Sequence, residues 1–239
     1  MSSKKGAGAR PRAASGAKSQ ATRGRILDAA RQLFNERGTA AVSTNHIAAA
    51  AGLSPGNLYY HFTGKKEIVR DLHARYAAAH EDRWDPAPEA PADLVTLRRN
   101  VAAGAALAWR YRFFERESRA LLRADPQLRA DYRQVYERRL AQWLGFAERL
   151  VAHGLMRPPR PPGTLRRLGI AVWLIAENWP AFLDVVGDPQ DPDQLAEGAD
   201  LVLVALEPYL TDQGRREWQA TAPGPERGVS TEESDGADR

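Results

Sequence analysis

The stretch that decides the fold lies at residues 43–67 and reads Ser-Thr-Asn-His-Ile-Ala-Ala-Ala-Ala-Gly-Leu-Ser-Pro-Gly-Asn-Leu-Tyr-Tyr-His-Phe-Thr-Gly-Lys-Lys-Glu. Gly52 suits the left-handed conformation that ends a first short helix, and Leu53 is placed to fill the angle before a second one. Ser54 followed by Pro55 is a helix start signal, because the hydroxyl caps free N–H groups and proline lacks an N–H that the first position does not need. The pattern predicts two short helices joined by a tight turn.

The second short helix has one apolar and one polar face. Leu58 and Phe62 lie four residues apart and are expected to face inward. The other face carries amide, phenol and imidazole groups instead of Lys and Glu, and consists of Asn57, Tyr59, Tyr60 and His61. Such groups suit base edges and phosphates. The stretch therefore predicts a helix-turn-helix with an exposed recognition helix.

A family resemblance rests on these residues. The run Thr-Asn-His-Ile-Ala-x-x-Ala-Gly-Leu-Ser-x-Gly-x-Leu-Tyr-x-His-Phe-x-x-Lys-x-Glu, at residues 44–67, resembles the signature of the tetracycline-repressor (TetR) family of bacterial regulators. The likeness extends back over Ile26, Ala30, Leu33, Phe34 and Gly38. A looser likeness, at residues 113–117 and 121–126, is to the branch of the family whose ligand domains are described only as bacterial repressor domains.

The resemblance implies which residues contact DNA. The family's contacts carry over to Thr44, Asn45, Ser54, Pro55, Gly56, Asn57, Tyr59, Tyr60, His61 and Lys65. Asn57 can bond an adenine edge through both groups of its amide, and Lys65 is expected to place a cation near the phosphates. A head of this size is expected to bind a palindromic double-stranded operator as a symmetric homodimer.

Composition supports this interpretation and excludes other classes. Seven basic residues precede the first acid, Asp28, so the front of the chain carries the charge expected beside DNA. The absence of cysteine excludes disulfides, thiol catalysis and cysteine-bound metals. No signal peptide is recognised, and polar residues interrupt the apolar run at 168–186, so we expect a cytoplasmic protein without a membrane span.

Helical periodicity without sustained strand alternation predicts an all-α protein of roughly nine helices. A three-helix head precedes a larger helical bundle for ligand binding and dimerisation. The predicted parts are a disordered basic tail at 1–19, the helix-turn-helix DNA-binding domain at 20–66, the ligand-binding and dimerisation domain at 67–210, and a disordered acidic tail at 211–239. Helix 1 is expected to run from Thr22 to Arg37, and Pro180 to kink or split a late helix.

Aromatic residues are frequent in the helical half of the protein that follows the helix-turn-helix head. By resemblance this half holds an apolar pocket, and the candidate ligand-binding residues are Trp109, Phe113, Phe114, Trp143, Trp173, Asn178 and Trp179. Other polar groups considered for orienting the ligand are Arg110, Glu117 and Gln142. Simple filling of a helical core remains the alternative for each aromatic residue.

Cofactor, metal and enzyme chemistry find little support. His73 and His80 are seven residues apart and lack a well-placed carboxylate, so no metal site is predicted. No cofactor motif, nucleophile elbow or glycine-rich phosphate loop is present. We therefore expect no enzymatic activity.

The last two helical runs carry more apolar residues than one buried face needs. By resemblance they form a four-helix dimer interface, and a monomeric core packed from both sides is the alternative. The resemblance implies a homodimeric repressor that a small hydrophobic molecule releases from its operator, with helix 4 carrying the signal. Two alternatives stay open: an architectural DNA-binding protein without an inducer, and an all-α enzyme using the aromatic cavity.

Overall fold

The computed structural model describes residues 11–84, 92–188 and 191–220, and these residues form ten α-helices. Their bounds are α1 Pro11–Ala41, α2 Thr44–Ala50, α3 Pro55–His61, α4 Lys65–Trp84, α5 Leu94–Arg110, α6 Arg112–Ala124, α7 Pro126–Ala152, α8 Thr164–Val186, α9 Pro192–Leu206 and α10 Asp212–Ala220. The all-α prediction is confirmed. The described residues hold one helix more than the expected nine.

The first helix is longer than predicted. It begins at Pro11 and not near Thr22, so residues 11–19 are helical where a disordered tail was expected. Alanine, arginine and lysine make up five of these nine residues and are strong helix formers, and proline is tolerated at the first helical position. The rest of the expected tail, residues 1–10, lies outside the described residues. At the other end Gly38 leaves helical geometry at φ 75°, as its predicted position after Arg37 requires.

The helix-turn-helix forms as predicted, and its local chemistry explains why. Ser43 caps α2, where it forms a reciprocal capping box with His46. Gly52 turns the chain at φ 66°. Ser54 then caps α3 by accepting a hydrogen bond from the Asn57 backbone N–H at 3.3 Å.

Two hydrophobic cores hold the ten helices together. The first core joins α1–α4 to α6 and the start of α7, with the rings of Phe34 and Phe113 5.3 Å apart. The second core lies among α5, α7, α8 and α9, around Phe146 and Leu168. Packing is therefore continuous across the predicted domain boundary after residue 66.

Helices α8 and α9 pack against each other, and α9 also packs against α5. Pro180 lies inside α8 without splitting it. By length and composition α8 passes the test for a membrane span, a test that apolar helices of soluble proteins also pass.

The chain continues to fold after residue 210, where the sequence predicted a disordered tail. Helix α10 begins after Thr211, whose hydroxyl accepts a hydrogen bond from the Gly214 N–H at 3.0 Å. Trp218 anchors the helix, because the Arg98 guanidinium of α5 lies 4.1 Å from the centre of its ring. One aromatic anchor on a polar helix leaves too weak an apolar pattern to be recognised in the sequence. Residues 221–239 lie outside the described residues.

Candidate DNA-binding surface and ligand cavity

One face of the recognition helix α3 is buried in the first core, and the opposite face is exposed. Leu58 and Phe62 are buried in the first core. Tyr59 is 53% exposed and Tyr60 is 82% exposed, although large aromatic side chains are normally covered. The amide of Asn57 is also exposed. The helix therefore presents one amide and two phenols to the surroundings.

The structure brings most of the predicted DNA-contact residues onto one surface. Thr44, at the start of α2, is hydrogen-bonded to the Tyr59 hydroxyl at 3.0 Å. This bond links the two helices of the motif and orients the phenol. The exposed members of the set are Asn45, Ser54, Pro55, Gly56, Asn57, Tyr59 and Tyr60. His61 is half-buried at the end of α3, with its ring edge-on to Tyr60.

Lys65 also makes contacts within the head, beside the DNA contact that was predicted for it. Its ammonium donates hydrogen bonds to the carbonyl oxygens of Thr39 at 2.5 Å and Val42 at 3.0 Å. These bonds tie the start of α4 to the loop before α2. An ammonium has three N–H donors, so one remains for an external acceptor. Lys65 thus braces the head, and a phosphate contact would use only its last donor.

Two arginines of the basic front end also brace the motif. Arg23 donates to the His61 carbonyl oxygen and to Asp71 at 2.6 Å, and its guanidinium lies 4.0 Å from the centre of the Phe62 ring. Arg25 donates to the Ala51 carbonyl oxygen at 2.8 Å. Both C-terminal ends of the motif's helices are thereby held by cations from α1. From the sequence, these charges were assigned to the positive surface expected beside DNA. Nothing in the pattern indicated that they stabilise the motif.

A partly open cavity of about 140 Å³ lies in the bundle and is lined by side chains of α4–α9. Trp143, Trp173 and Trp179 line it as predicted. Helices α8 and α9 accommodate two of these indoles at glycines, because a Cβ at Gly169 would come within 2.8 Å of Trp143 and one at Gly198 within 2.5 Å of Trp179. The cavity thus depends on close ring-to-backbone contacts that larger residues would block.

Four predicted ligand residues do not line this cavity. Phe113 and Phe114 are buried in the first core, where they join the head to the bundle. Trp109 is covered by the Arg112 guanidinium, 4.3 Å from the centre of its ring. Asn178 accepts a hydrogen bond from Arg119 at 2.7 Å on the outside of α8.

The polar groups of the cavity were missed by the sequence analysis. Glu115 of α6 accepts a hydrogen bond from the Tyr76 hydroxyl, and Glu177 of α8 accepts one from Tyr132 at 2.9 Å. Burial is the main cause that raises the pKa of both carboxyl groups. Arg139 is the cation of the cavity wall and lies 4.3 Å from the centre of the Trp173 ring. The only signal in the sequence was an acid inside each of two apolar helical runs.

The histidines show no arrangement for a metal. No group of three metal-ligating side chains occurs within the ranges that the structure describes. His73 is buried between the rings of Phe114 and Tyr132, at centroid distances of 5.0 and 6.0 Å. Burial lowers the pKa of His73 to about 4. The imidazole is therefore neutral near pH 7 and serves as an aromatic core residue.

His73 makes stability depend on pH. In the unfolded chain the group binds a proton near its ordinary pKa of 6.5, whereas the folded protein resists protonation until about pH 4. Stability is therefore lost as pH falls through this window, by about 3 kcal/mol in total. We expect the difference in unfolding free energy between the unmodified protein and His73→Phe to change by this amount across the window. Urea unfolding at stepped pH measures it.

The comparison with His73→Phe is needed because Glu115 and Glu177 change the stability with pH in the direction opposite to His73. Their raised pKa values mean that the folded state holds protons that the unfolded state has lost. Both proteins share that contribution, so it cancels in the difference. Parallel stability curves for the two proteins would contradict a neutral buried His73.

Helix α6 joins the cavity to the head. Glu115 and Glu117 are two residues apart, which places them on opposite sides of a helix. Glu115 faces the cavity, while Glu117 accepts hydrogen bonds from the Thr39 N–H at 3.0 Å and from its hydroxyl. Asn35 of α1 accepts a hydrogen bond from the Phe113 N–H at 3.1 Å and donates one to the Arg110 carbonyl oxygen at 3.0 Å. The head is therefore attached to α6 as well as to α4.

Comparisons with known proteins agree with this architecture. Residues 26–72 match the family described as bacterial regulatory proteins, tetR family, and residues 75–218 match the TetR family described as bacterial transcriptional repressor. The probable HTH-type transcriptional regulator ArpR of Pseudomonas putida is 37% identical over 76 residues, which cover 28% of this chain and 36% of ArpR. The match thus spans about a third of that relative's length.

Solved structures extend the likeness to nearly the whole fold. A TetR-family transcriptional regulator from Marinobacter aquaeolei VT8 is 34% identical, with a TM-score of 0.76, covering 84% of this chain and 99% of that one. The TetR-family regulator PfmR from Thermus thermophilus is 25% identical with a TM-score of 0.59, covering 77% of this chain and 97% of PfmR. With its braced helix-turn-helix and its repressor-type helical bundle, this chain belongs to the TetR family of DNA-binding transcriptional regulators and is not an enzyme.

Proposed function

We propose that the chain is a homodimeric repressor that binds a palindromic operator and is released when a small molecule occupies the bundle cavity. The observation that carries the proposal is the outward display of Asn57, Tyr59 and Tyr60 on a helix whose other face is locked into the core. Exposed amide and phenol groups on a rigid helix are suited to reading base edges in a major groove. In this proposal residues 20–66 bind DNA, residues 67–210 bind the ligand and the second subunit, and the protein acts in the cytoplasm.

The proposed dimer surface consists of the exposed apolar residues of α8 and α9. These are Leu174, Phe182, Val185 and Val186 of α8, and Leu201 and Val204 of α9. An exposed apolar patch shared by two adjacent helices favours association over exposure to water. Pairing of α8 and α9 with their copies would form a four-helix interface and hold two recognition helices at the spacing of successive major-groove turns, about 34–36 Å.

Operator binding is tested by replacing the base-reading side chains. We expect Asn57→Ala combined with Tyr59→Ala to lower operator affinity by about 2–6 kcal/mol, because each base contact contributes about 1–3 kcal/mol. Binding to unrelated DNA should change little, since phosphate contacts dominate it. Footprinting and fluorescence anisotropy at stepped salt concentrations measure both quantities. Glu148→Ala, which removes an exposed polar side chain of α7 away from the head, is the control.

Two results would contradict this assignment. One is a footprint without sequence preference, which would favour an architectural DNA-binding protein. The other is an operator footprint that survives the double substitution.

The proposed signal path runs through α6 together with α4. A ligand that displaces Glu115 would move Tyr76 of α4, its hydrogen-bond partner, and would shift Glu117 against the head. We expect Glu117→Ala to leave ligand affinity unchanged and to reduce the coupling between ligand and operator by about 1 kcal/mol.

The coupling is the ratio of operator affinities with and without a ligand found by quenching of tryptophan fluorescence. Glu148→Ala, an exposed position on α7, is the matched control. An unchanged ratio in Glu117→Ala would leave α4 as the sole connection.

A further inference from the structure

The cavity combines features that are unusual together. Three indole rings line it, and so do two glutamates and one arginine. Glu115 is only 2% exposed, so its carboxyl group has little access to bulk water. A buried carboxylate is stable only when a proton, a cation or strong hydrogen bonds balance its charge.

Within the described parts of the chain, hydrogen bonds supply a limited share of that balance. Each glutamate receives one hydrogen bond from a tyrosine hydroxyl. The ion pairs found there do not include one between Arg139 and either glutamate. Arg139 instead lies against the Trp173 ring. Two carboxyl groups therefore share one cation that is not paired directly with either of them.

Arg139 is the cation whose charge acts on both carboxyl groups and lowers their pKa values against the effect of burial. Helix α4 contributes Tyr76 and His80, and α7 contributes Tyr132 and Arg139. Helices α5 and α9 contribute only glycine and apolar side chains to the wall. Burial raises the pKa of Tyr76 and of Tyr132, so both phenols remain neutral hydrogen-bond donors.

We propose that the cavity takes a small aromatic monocation, such as an aryl ammonium compound, with its charge facing Glu115 and Glu177 and its ring among the tryptophans. The proposal rests on the proposed ligand response and adds the chemical class of the ligand. An anion would oppose ionisation of two carboxyl groups at close range, and a neutral aromatic compound would gain nothing from their charge, whereas a cation is attracted as they ionise. The indole faces add attraction, because cations bind over the negative face of an aromatic ring. A cavity of about 140 Å³ suits one aromatic ring, since an engineered cavity of about 150 Å³ accepts benzene.

Charge balance predicts a proton exchange. In the empty cavity burial favours the protonated carboxyl groups, and a bound cation favours the ionised ones. Binding therefore releases a carboxyl proton to solvent as the cation enters, so the net charge of the site is conserved. Affinity for a permanent cation should rise with pH because the competing proton becomes scarcer.

Calorimetric titration of the full chain tests the proposal with two isosteric probes. N-methylpyridinium carries a permanent charge on a single ring, and toluene has the same shape without the charge. We expect the cation to bind about tenfold or more tightly than its isostere, and more tightly at about pH 8 than at about pH 6. Titrations in two buffers of different ionisation enthalpy should report proton release for the cation and none for toluene.

Glu177→Gln removes one charge and keeps the shape of the side chain, so it should lower the affinity for N-methylpyridinium by about tenfold. Glu148→Gln, on the exposed side of α7, should leave that affinity unchanged. Proton release by the unmodified protein provides a readout that does not depend on the folding of any variant.

The proposal is overturned if the isosteres bind equally, if neither binds at millimolar concentration, or if cation binding releases no proton. These measurements contain no DNA. A failed cation preference therefore leaves operator binding untouched, and a failed operator footprint leaves the calorimetric result standing.

Discussion

Replacing Phe113 by alanine is expected to lower the free energy of unfolding by about 3–5 kcal/mol, because the ring is fully buried and its removal leaves a cavity. Phe113 contacts Phe34 of α1 at a centroid distance of 5.3 Å and Phe114 at 6.3 Å. The lost volume lies where the head meets the bundle, so surrounding side chains from both would have to move to fill it. Urea unfolding followed by circular dichroism measures the effect.

Tyr60→Ala is the matched control for Phe113→Ala. It also removes an aromatic ring, but this ring is 82% exposed, so stability should change by less than about 0.5 kcal/mol. The two variants should separate stability from DNA binding, since Tyr60 is a proposed DNA contact. Equal stability losses in the two variants would contradict the burial of Phe113 in the first core, which joins the head to the bundle.

The helix-turn-helix was predictable because its conformation is set by neighbouring residues. Gly52 permits the turn, and Ser54 and Pro55 start α3 through interactions within four residues. The same locality explains why Asn57, Tyr59 and Tyr60 are exposed as expected, whereas His61, at the end of α3, is half-buried. Periodicity alone separates Leu58 from Tyr59 and Tyr60.

The cavity was less predictable because it is formed by helices distant in sequence. Phe113, Phe114 and Glu115 are consecutive and all buried, so three sides of α6 are covered by different neighbours. Periodicity cannot tell which of these residues lines a cavity. The sequence therefore favoured the two phenylalanines as ligand-binding residues, whereas of these three residues the structure places only Glu115 at the cavity wall. A buried glutamate is rare enough that the pattern favours solvent exposure.

The structural contacts of several cationic side chains could not be predicted from the sequence either. Lys65, Arg23 and Arg25 were counted toward DNA binding, yet each donates to backbone carbonyl oxygens of the head. Those acceptors lie 23 to 38 residues away in sequence. A charge count records how many cations surround the motif but not how many are already engaged. The basic front end is therefore partly a structural brace.

The second large effect concerns the proposed dimer surface. We expect Val204→Asp to weaken dimerisation by about 3 kcal/mol or more, equivalent to about hundredfold, because it places an unpaired carboxylate in an apolar interface. A twofold interface contains each residue twice, so both copies contribute. Val204 is 65% exposed in the single chain, which means that the folded monomer can accommodate the charge. Sedimentation velocity over a range of concentrations measures the shift.

Val95→Asp provides the control, since Val95 is 55% exposed on α5, outside the α8 and α9 surface. Operator affinity should fall together with dimerisation in Val204→Asp and stay unchanged in Val95→Asp, because one head alone makes too few contacts to hold a palindromic site. An unchanged dimer in Val204→Asp would move the interface to another surface. Loss of the dimer with unchanged operator affinity would contradict binding of the palindrome by a symmetric dimer. The affinity would then reside in a single recognition helix.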